Sequence, residues 1–158
     1  MDIELKQARI ADAEEVLALQ KLAFQSESPA YSRCTIPPLA ETLERITKEL
    51  KDKRVLKAMN GEKIVGSVRA YRWEGTRYLE KLVVHPSFQG KGIGTRLMQE
   101  MEKLFADRVE RIQLSTDYKN ERNVFMYKKL GYKIYKTQKL SNDEGFVYME
   151  KYTKGSPA

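Results

Sequence analysis

The sequence predicts a single domain of mixed α/β (α+β) class, with about four helices on the faces of a mixed, mostly antiparallel sheet of about six or seven strands. Three observations support this fold class. Short alternating or apolar runs are interspersed with stretches whose apolar residues recur at helical spacing. Two Gly-containing turns join the middle strands as hairpins, whereas a helix separates two later strands, as in a crossover. The 158 residues suit one domain of ordinary size.

The chain begins with a strand and two helices. Ile3 to Arg9 alternates apolar and polar residues as a strand does, and Asp12 is placed to cap the next helix. One side of that helix carries Val16, Leu19, Leu22 and Ala23. The second helix carries Leu39, Leu43, Ile46 and Leu50 on one face. Between the helices, Ser26 to Pro38 is rich in Pro and Ser and predicts an irregular connection.

Three strands follow, at Val55 to Met59, Ile64 to Tyr71 and Arg77 to Val84. Asn60-Gly61 predicts a tight hairpin turn between the first two, because both residue types tolerate positive φ. A second Gly-containing turn at Glu74-Gly75 precedes the third strand. The apolar end of that strand, Leu82 to Val84, indicates a central position in the sheet.

The remaining elements are a helix, a strand, a second helix and two strands. Helical spacing in the first helix is shown by Leu97, Met98, Met101, Leu104 and Phe105. The strand that follows is Ile112 to Thr116, and the second helix runs from Asn120 to Leu130 and ends at Gly131. The last two strands are Tyr132 to Lys136 and Phe146 to Tyr152. One domain over residues 1–153 therefore precedes a flexible tail at residues 154–158.

Composition excludes some classes of protein. No apolar run approaches the ~18 residues of a membrane span, and no signal-peptide pattern is present, so we expect a cytoplasmic protein without a membrane partner. The only cysteine, Cys34, cannot form an internal disulfide, and with the only histidine it is too little for a zinc site. The net charge is +7, of which +6 lies from Thr76 onward. Nucleic acid or a small polyanionic cofactor could complement this charge.

A glycine-rich turn, Gln89 to Gly94, follows a strand and begins a helix near Gly92. Unpaired N–H groups at a helix N-terminus attract phosphate, and glycines allow its close approach. A P-loop is excluded because Lys91 is followed by Gly92 and Thr95 comes too late. A dinucleotide fingerprint is disfavoured because the spacing is G-x-G-x-G and the acidic residue after the next strand, Asp117, is weak support.

A second motif stands later in the chain, where Asn120 is followed by Tyr127 and by Gly131-Tyr132. Together with Gln89-x-x-Gly92-x-Gly94 after Val84-His85-Pro86, it resembles the GNAT superfamily of acyl-CoA-dependent N-acetyltransferases. The order of predicted elements is similar to the fold of that family over nearly the whole chain. One departure is Asn123, where the family usually has a small apolar residue.

The resemblance implies acetyl-CoA as cosubstrate. It implies that the backbone of Leu82, Val83 and Val84 pairs with the pantetheine arm. The implied pyrophosphate site comprises Gln89, Gly90, Lys91, Gly92, Gly94 and Thr95. Asn120 is implied as a cofactor-binding group, and it also suits the N-cap of a helix. Lys91 and nearby Arg96 supply a positive field at the cofactor end.

Transfer of an acetyl group to an amine needs a proton acceptor for the amine and a proton donor for the leaving thiolate. The resemblance implies Tyr127 as the general acid, near the cofactor sulfur; core packing is its alternative role. Glu80, on a strand expected to be buried, is the candidate base, and a salt-bridged Glu80 is the alternative. His85 is the only imidazole, but its place after the strand indicates a turn residue instead.

In relatives the acceptor is recognised between the first two helices and by late loops, which here are Ser26 to Pro38 and Leu140 to Gly145. The first contains Glu27, Tyr31 and Arg33, whose mixed charges do not specify an amine. A homodimer is common among relatives. The alternative function is a non-catalytic module that senses CoA or binds nucleic acid. Nucleic acid is disfavoured, because basic and aromatic residues do not interleave.

Overall fold

A computed structural model describes residues 2–24, 41–105 and 110–153. Their strands form one seven-stranded sheet with the order β1-β2-β3-β4-β5-β7-β6. The strands are β1 (Ile3–Gln7), β2 (Arg54–Asn60), β3 (Lys63–Trp73), β4 (Thr76–Val84), β5 (Arg111–Asp117), β6 (Lys133–Lys139) and β7 (Gly145–Tyr152). The helices are α1 (Ala13–Phe24), α2 (Leu43–Asp52), α3 (Ile93–Lys103) and α4 (Glu121–Lys129). The predicted fold class is confirmed.

Three sequence predictions fall outside these residues: the connection Ser26 to Pro38 with Cys34, the position of Leu39, and the tail at 154–158. Among the strand pairs of the described residues, only β4 with β5 is parallel. This pattern confirms a mixed and mostly antiparallel sheet with β4 at its centre.

Some predictions for the first two helices are wrong in detail. Asp12 does not cap α1; its carboxylate accepts hydrogen bonds from the Arg9 amide (2.7 Å) and the Lys57 ammonium (2.8 Å). Leu22 and Leu43 were placed by their spacing on the apolar sides of their helices, yet both side chains are exposed. The apolar stripes are therefore narrower than the spacing suggested, because each short helix contacts the sheet through only part of its face.

The two hairpin turns differ in how well they were predicted. The first is formed by Gly61 and Glu62, because Asn60 still pairs with Lys63 in the β2–β3 ladder. The prediction of an Asn60-Gly61 turn is thus displaced by one residue. The second turn is Glu74-Gly75 as predicted, and both residues have positive φ, at 47° and 80°. Two successive positive φ values match the right-handed twist of a tight hairpin.

The core divides between two faces of the sheet. On one face, α3 and Tyr127 of α4 pack against β2 to β5. The residues that α3 buries there are Ile93, Leu97, Met98 and Met101. On the other face, α1 and Ile46 of α2 pack against Ile64 and Val83. Helices thus cover both faces of the sheet around β3 and β4.

Strands β4 and β5 pair only over a short stretch. Thr76, Arg77 and Tyr78 face Arg111, Ile112 and Gln113, and the two strands then separate. From Leu79 to Val84, β4 is paired with β3 alone. Because unpaired backbone groups inside a sheet require other partners, the gap between β4 and β5 is a natural place for a ligand that carries amide groups.

A β-bulge lies in β4 where it borders this gap. Ser67 pairs with Val83 and Arg69 with Glu80, so Lys81 and Leu82 together face Val68. Lys81 has φ of 52°, the left-handed region that non-Gly residues rarely occupy. A bulge reverses the alternation of the residues that follow it. It therefore decides which groups of Leu82 to Val84 face the gap.

Candidate active site

The N-terminus of α3 forms a site suited to an anion. Gly92 is its N-cap, with φ of 81°, and no side chain caps the first turn. The first amides of the helix therefore lack helical acceptors. Gly90 also has positive φ, and a methyl group added there would lie 3.2 Å from Arg122 Nη2. Backbone N–H groups, a helix dipole and a guanidinium thus converge on one turn, a combination that binds phosphate esters.

Helix α4 borders the same turn. The Asn120 side chain accepts a hydrogen bond from the Asn123 amide (3.1 Å), so its predicted N-cap role is confirmed. Arg122 Nη1 donates to Gln89 Oε1 (3.3 Å), and Gln89 Nε2 donates to the Val84 carbonyl (3.1 Å). Arg122 was not predicted from the sequence as a site residue. Its position two residues after the motif asparagine, Asn120, could have indicated a cation beside the glycine-rich turn.

A cavity of about 600 Å³ begins at this turn. It is lined by β4 between its bulge and its end, by the glycine-rich turn, by α4, and by Ala23 and Phe24 at the end of α1. Since α1 and α3 cover opposite faces of the sheet and residues of both line the cavity, the cavity reaches both faces beside the end of β4. Its lining is apolar along the strand and cationic at Arg122 and Lys129.

Most of the predicted cofactor-binding residues line this cavity. They are Leu82, Val83, Val84, Gln89, Gly90, Gly92, Gly94, Thr95 and Asn120. Lys91 is exposed and does not line it, and Arg96 is exposed as well. Asn123, the departure from the family pattern, also lines the cavity. Its polar side chain therefore belongs to the site and does not disturb the packing of α4 on the core.

Tyr127 lies in α4 between two residues that line the cavity, Met126 and Leu130. Its side chain is 5% exposed, belongs to the core on the α3 side and contacts the Tyr132 ring edge-on, with 6.0 Å between centroids. It is not part of the cavity wall. Tyr132 is no substitute as an acid, because burial and the neighbouring Glu102 raise the pKa of its phenol well above the usual range.

Glu80 lies on the α1–α2 side of β4 and does not line the cavity. The prediction of a buried carboxylate is wrong, since its side chain is 30% exposed. Lys53 Nζ donates to Glu80 Oε1 at 2.6 Å and to Glu49 Oε1 at 2.9 Å. Burial disfavours the charge of Lys53, but these two hydrogen bonds raise its pKa above the usual value. The salt bridge that was the alternative expectation for Glu80 is present, and the base role stays a prediction.

His85 is a turn residue. Its Nδ1 accepts a hydrogen bond from the Ser87 amide (3.0 Å), and its ring contacts Phe88 edge-on. The imidazole thereby caps the short turn Pro86–Phe88 that leads from β4 to the glycine-rich turn. This arrangement confirms the interpretation of His85 as a turn residue.

Among the described residues, no three His, Cys, Asp or Glu side chains cluster in a way that could hold a metal ion. In the same residues, no helix is both long and apolar enough to cross a membrane.

The sequence pattern described as the Acetyltransferase (GNAT) family matches residues 16–132, well over half of the chain. The chain belongs to this family of acetyltransferases. Residues 16–132 of this GNAT chain include both motifs and the whole of β2 to β5. No curated protein sequence matches the chain in a direct comparison.

Solved structures resemble this GNAT chain over nearly its full length. A GNAT-family acetyltransferase from Streptococcus pneumoniae is 20% identical, with a TM-score of 0.77 and coverage of 96% of this chain and 99% of the other. The PaiA N-acetyltransferase of Thermoplasma acidophilum, in complex with coenzyme A, is 19% identical with the same TM-score and coverage. YncA of Salmonella typhimurium, solved with its cofactor acetyl-CoA, is 15% identical, with a TM-score of 0.79 and coverage of 100% and 98%. These likenesses establish the fold.

Proposed function

We propose that this chain is an N-acetyltransferase that transfers the acetyl group of acetyl-CoA to a primary amine by direct attack. The observation that carries the proposal is the cavity between β4 and α4, which begins at a helix N-terminus suited to an anion and reaches both faces of the sheet. A cosubstrate that enters from the α3 side leaves its thioester accessible to an amine that enters from the α1 side. Both substrates then meet in one complex, as direct attack requires.

The cavity fits the parts of acetyl-CoA in order. The pyrophosphate binds at the α3 amides and Arg122, and the pantetheine amides pair with the free backbone of Leu82 to Val84. His85 N donates to the Val65 carbonyl of β3 (2.8 Å), so the Val84 carbonyl faces the opposite, open side. Gln89 binds that carbonyl and so fixes the end of the strand beside the turn. PaiA and YncA, whose structures contain coenzyme A and acetyl-CoA, support this assignment.

In the proposed reaction the amine nitrogen attacks the thioester carbonyl, the C–S bond breaks and the CoA thiolate leaves. Tyr127 gives its phenolic proton to the sulfur. Glu80 takes the amine proton through water, since its carboxylate lies outside the cavity wall. Backbone N–H groups of β4 at the gap are the donors available to the carbonyl oxygen as it becomes negative.

Two measurements test this function. Calorimetry with acetyl-CoA is expected to show one site per chain, and a thiol-release assay is expected to show turnover with one class of amine among amino acids, polyamines, aminoglycosides and peptide N-termini. Acetyl-CoA binding without turnover on any amine would favour a non-catalytic CoA sensor. Salt-sensitive nucleic-acid binding without CoA binding would favour the basic module. The homodimer and the cytoplasmic location stay predictions.

Arg122 gives a sharper test of the phosphate site. Arg122→Gln is expected to weaken acetyl-CoA binding about tenfold at low salt, because it removes a charge-assisted contact to phosphate. The affinity of the variant should also fall less steeply as salt is added. Arg54→Gln is the matched control, since Arg54 is exposed on β2 and its loss changes the net charge equally. Equal affinities for the two variants would contradict the role of Arg122.

A further inference from the structure

A buried network of charged side chains lies beside the β4 bulge and takes no part in the reaction proposed above. Its centre is Arg69 of β3, which is 1% exposed. The Arg69 guanidinium contacts Glu41 through two nitrogens, at 2.8 and 3.2 Å, and also donates to Gln20 (2.6 Å) and Glu49 (3.3 Å). Glu41 is completely buried at the side chain.

The same Glu41 carboxylate reaches across the bulge. Its Oε2 accepts from Arg69 Nη1 on β3 and from Lys81 Nζ on β4, the latter at 3.3 Å. Its Oε1 accepts from Gln20 of α1 at 3.0 Å. One carboxylate therefore connects the bulged residue, its neighbouring strand, and the helix whose end lines the cavity. The Glu41 side chain thus joins α1, β3 and β4.

Lys81 needs such a partner. A lysine in the left-handed region is strained because its Cβ crowds the backbone, and only a surrounding structure that over-determines the conformation maintains it. Lys81 is also the residue immediately before Leu82 to Val84. If the bulge were lost, the register would slip by one residue, and the backbone groups that face the gap would turn toward β3.

We propose that Glu41, through its ion pair with Lys81, holds the β4 bulge in place, and that both are positioning residues for acetyl-CoA. The contact aligns the free backbone of Leu82 to Val84 with the cavity without touching the cofactor. The proposal rests on acetyl-CoA being the cosubstrate, and it is independent of the acceptor and of Tyr127.

Two variants of Lys81 separate the bulge from the charge. Lys81→Ala and Lys81→Gly both remove the ammonium, and in both Glu41 keeps its bonds to Arg69 and Gln20. Only glycine adopts positive φ without strain. Calorimetry is expected to show about tenfold weaker acetyl-CoA binding for Lys81→Ala, equivalent to about 1.4 kcal/mol. For Lys81→Gly the affinity is expected to stay within about threefold of the wild type.

Lys57→Ala is the control for simple loss of stability. Lys57 is also buried and ion-paired, to Asp12 at 2.8 Å, and it does not line the cavity. Lys57→Ala should lower the melting temperature, as the Lys81 variants should, and leave the affinity for acetyl-CoA unchanged. The proposal is overturned if Lys81→Ala binds like the wild type, or if Lys81→Gly binds as weakly as Lys81→Ala. A wild-type chain that does not bind acetyl-CoA would overturn the cofactor assignment together with this proposal.

Discussion

Tyr127→Phe is expected to lower kcat for acetyl transfer by about 100-fold while the KM for acetyl-CoA changes little. The substitution retains the ring that packs on Tyr132 and removes only the hydroxyl. A general acid acts in the transition state, when the thiolate departs, so its loss should appear in kcat. Steady-state thiol release with the preferred amine, at several acetyl-CoA concentrations, measures both parameters.

Tyr132→Phe is the matched control for this experiment. Tyr132 is an equally buried tyrosine beside Tyr127, but its hydroxyl donates to Glu102 (3.1 Å) on α3, away from the cavity. The control should cost about 1 kcal/mol of stability through the lost hydrogen bond and leave kcat near the wild-type value. If Tyr127→Phe also turns over at the wild-type rate, Tyr127 is a core residue and the acid is another group.

The second large effect concerns the pH dependence of stability. Burial opposes ionisation of Glu41, but the hydrogen bond and charge of Arg69, with Lys81 and Gln20, lower its pKa from 4.5 to about 2. A carboxylate with a lowered folded-state pKa contributes stability that is present above its unfolded pKa and lost as the pH falls toward the folded value. We expect the free energy of unfolding to fall by about 3 kcal/mol from this group as pH decreases from 4.5 to about 2.

Urea unfolding across the acidic range measures this loss, and Glu41→Gln identifies its source. The variant should be less stable near neutral pH, since Arg69 loses a charged partner, and its stability should depend less on acid. Some acid dependence should persist, because Asp12 also has a lowered pKa: burial opposes its charge, but hydrogen bonds from Lys57 and the Arg9 backbone outweigh that effect. Parallel curves for the wild type and Glu41→Gln would contradict the assignment to Glu41.

Features specified by neighbouring residues were predictable from the sequence. The Gly90 and Gly92 turn, the Asn120 cap, the Gly131 helix end and the Glu74-Gly75 hairpin each depend on local backbone preferences. Of these features, the Gly90 and Gly92 turn and the Asn120 cap belong to the cavity wall. The family resemblance then supplied their order around one ligand.

Features created by distant pairing were not predictable. Glu41 and Arg69 look like ordinary surface charges in the sequence, and they become buried only because α1, α2 and β3 meet. The bulge at Lys81 could not be predicted from a glycine, because the residue with positive φ there is a lysine. Glu80 was expected to be buried because it lies on the central strand, whereas it forms a salt bridge with Lys53, 27 positions earlier, and its side chain is 30% exposed.

The short pairing between β4 and β5 has a mechanical consequence for the whole domain. Among the described residues, three residue pairs are the only ladder between a half made of β1 to β4 and a half made of β5 to β7. A ligand bound in the cavity contacts β4, which belongs to the first half, and α4, which follows β5 in the second half. Such a ligand therefore links the two halves. Its binding free energy then stabilises the folded domain: at a free ligand concentration of about 100 times the Kd, the free energy of unfolding rises by about 2.7 kcal/mol. A donor substrate bound there would therefore stabilise the contact between the two halves of the sheet as well as take part in the proposed reaction.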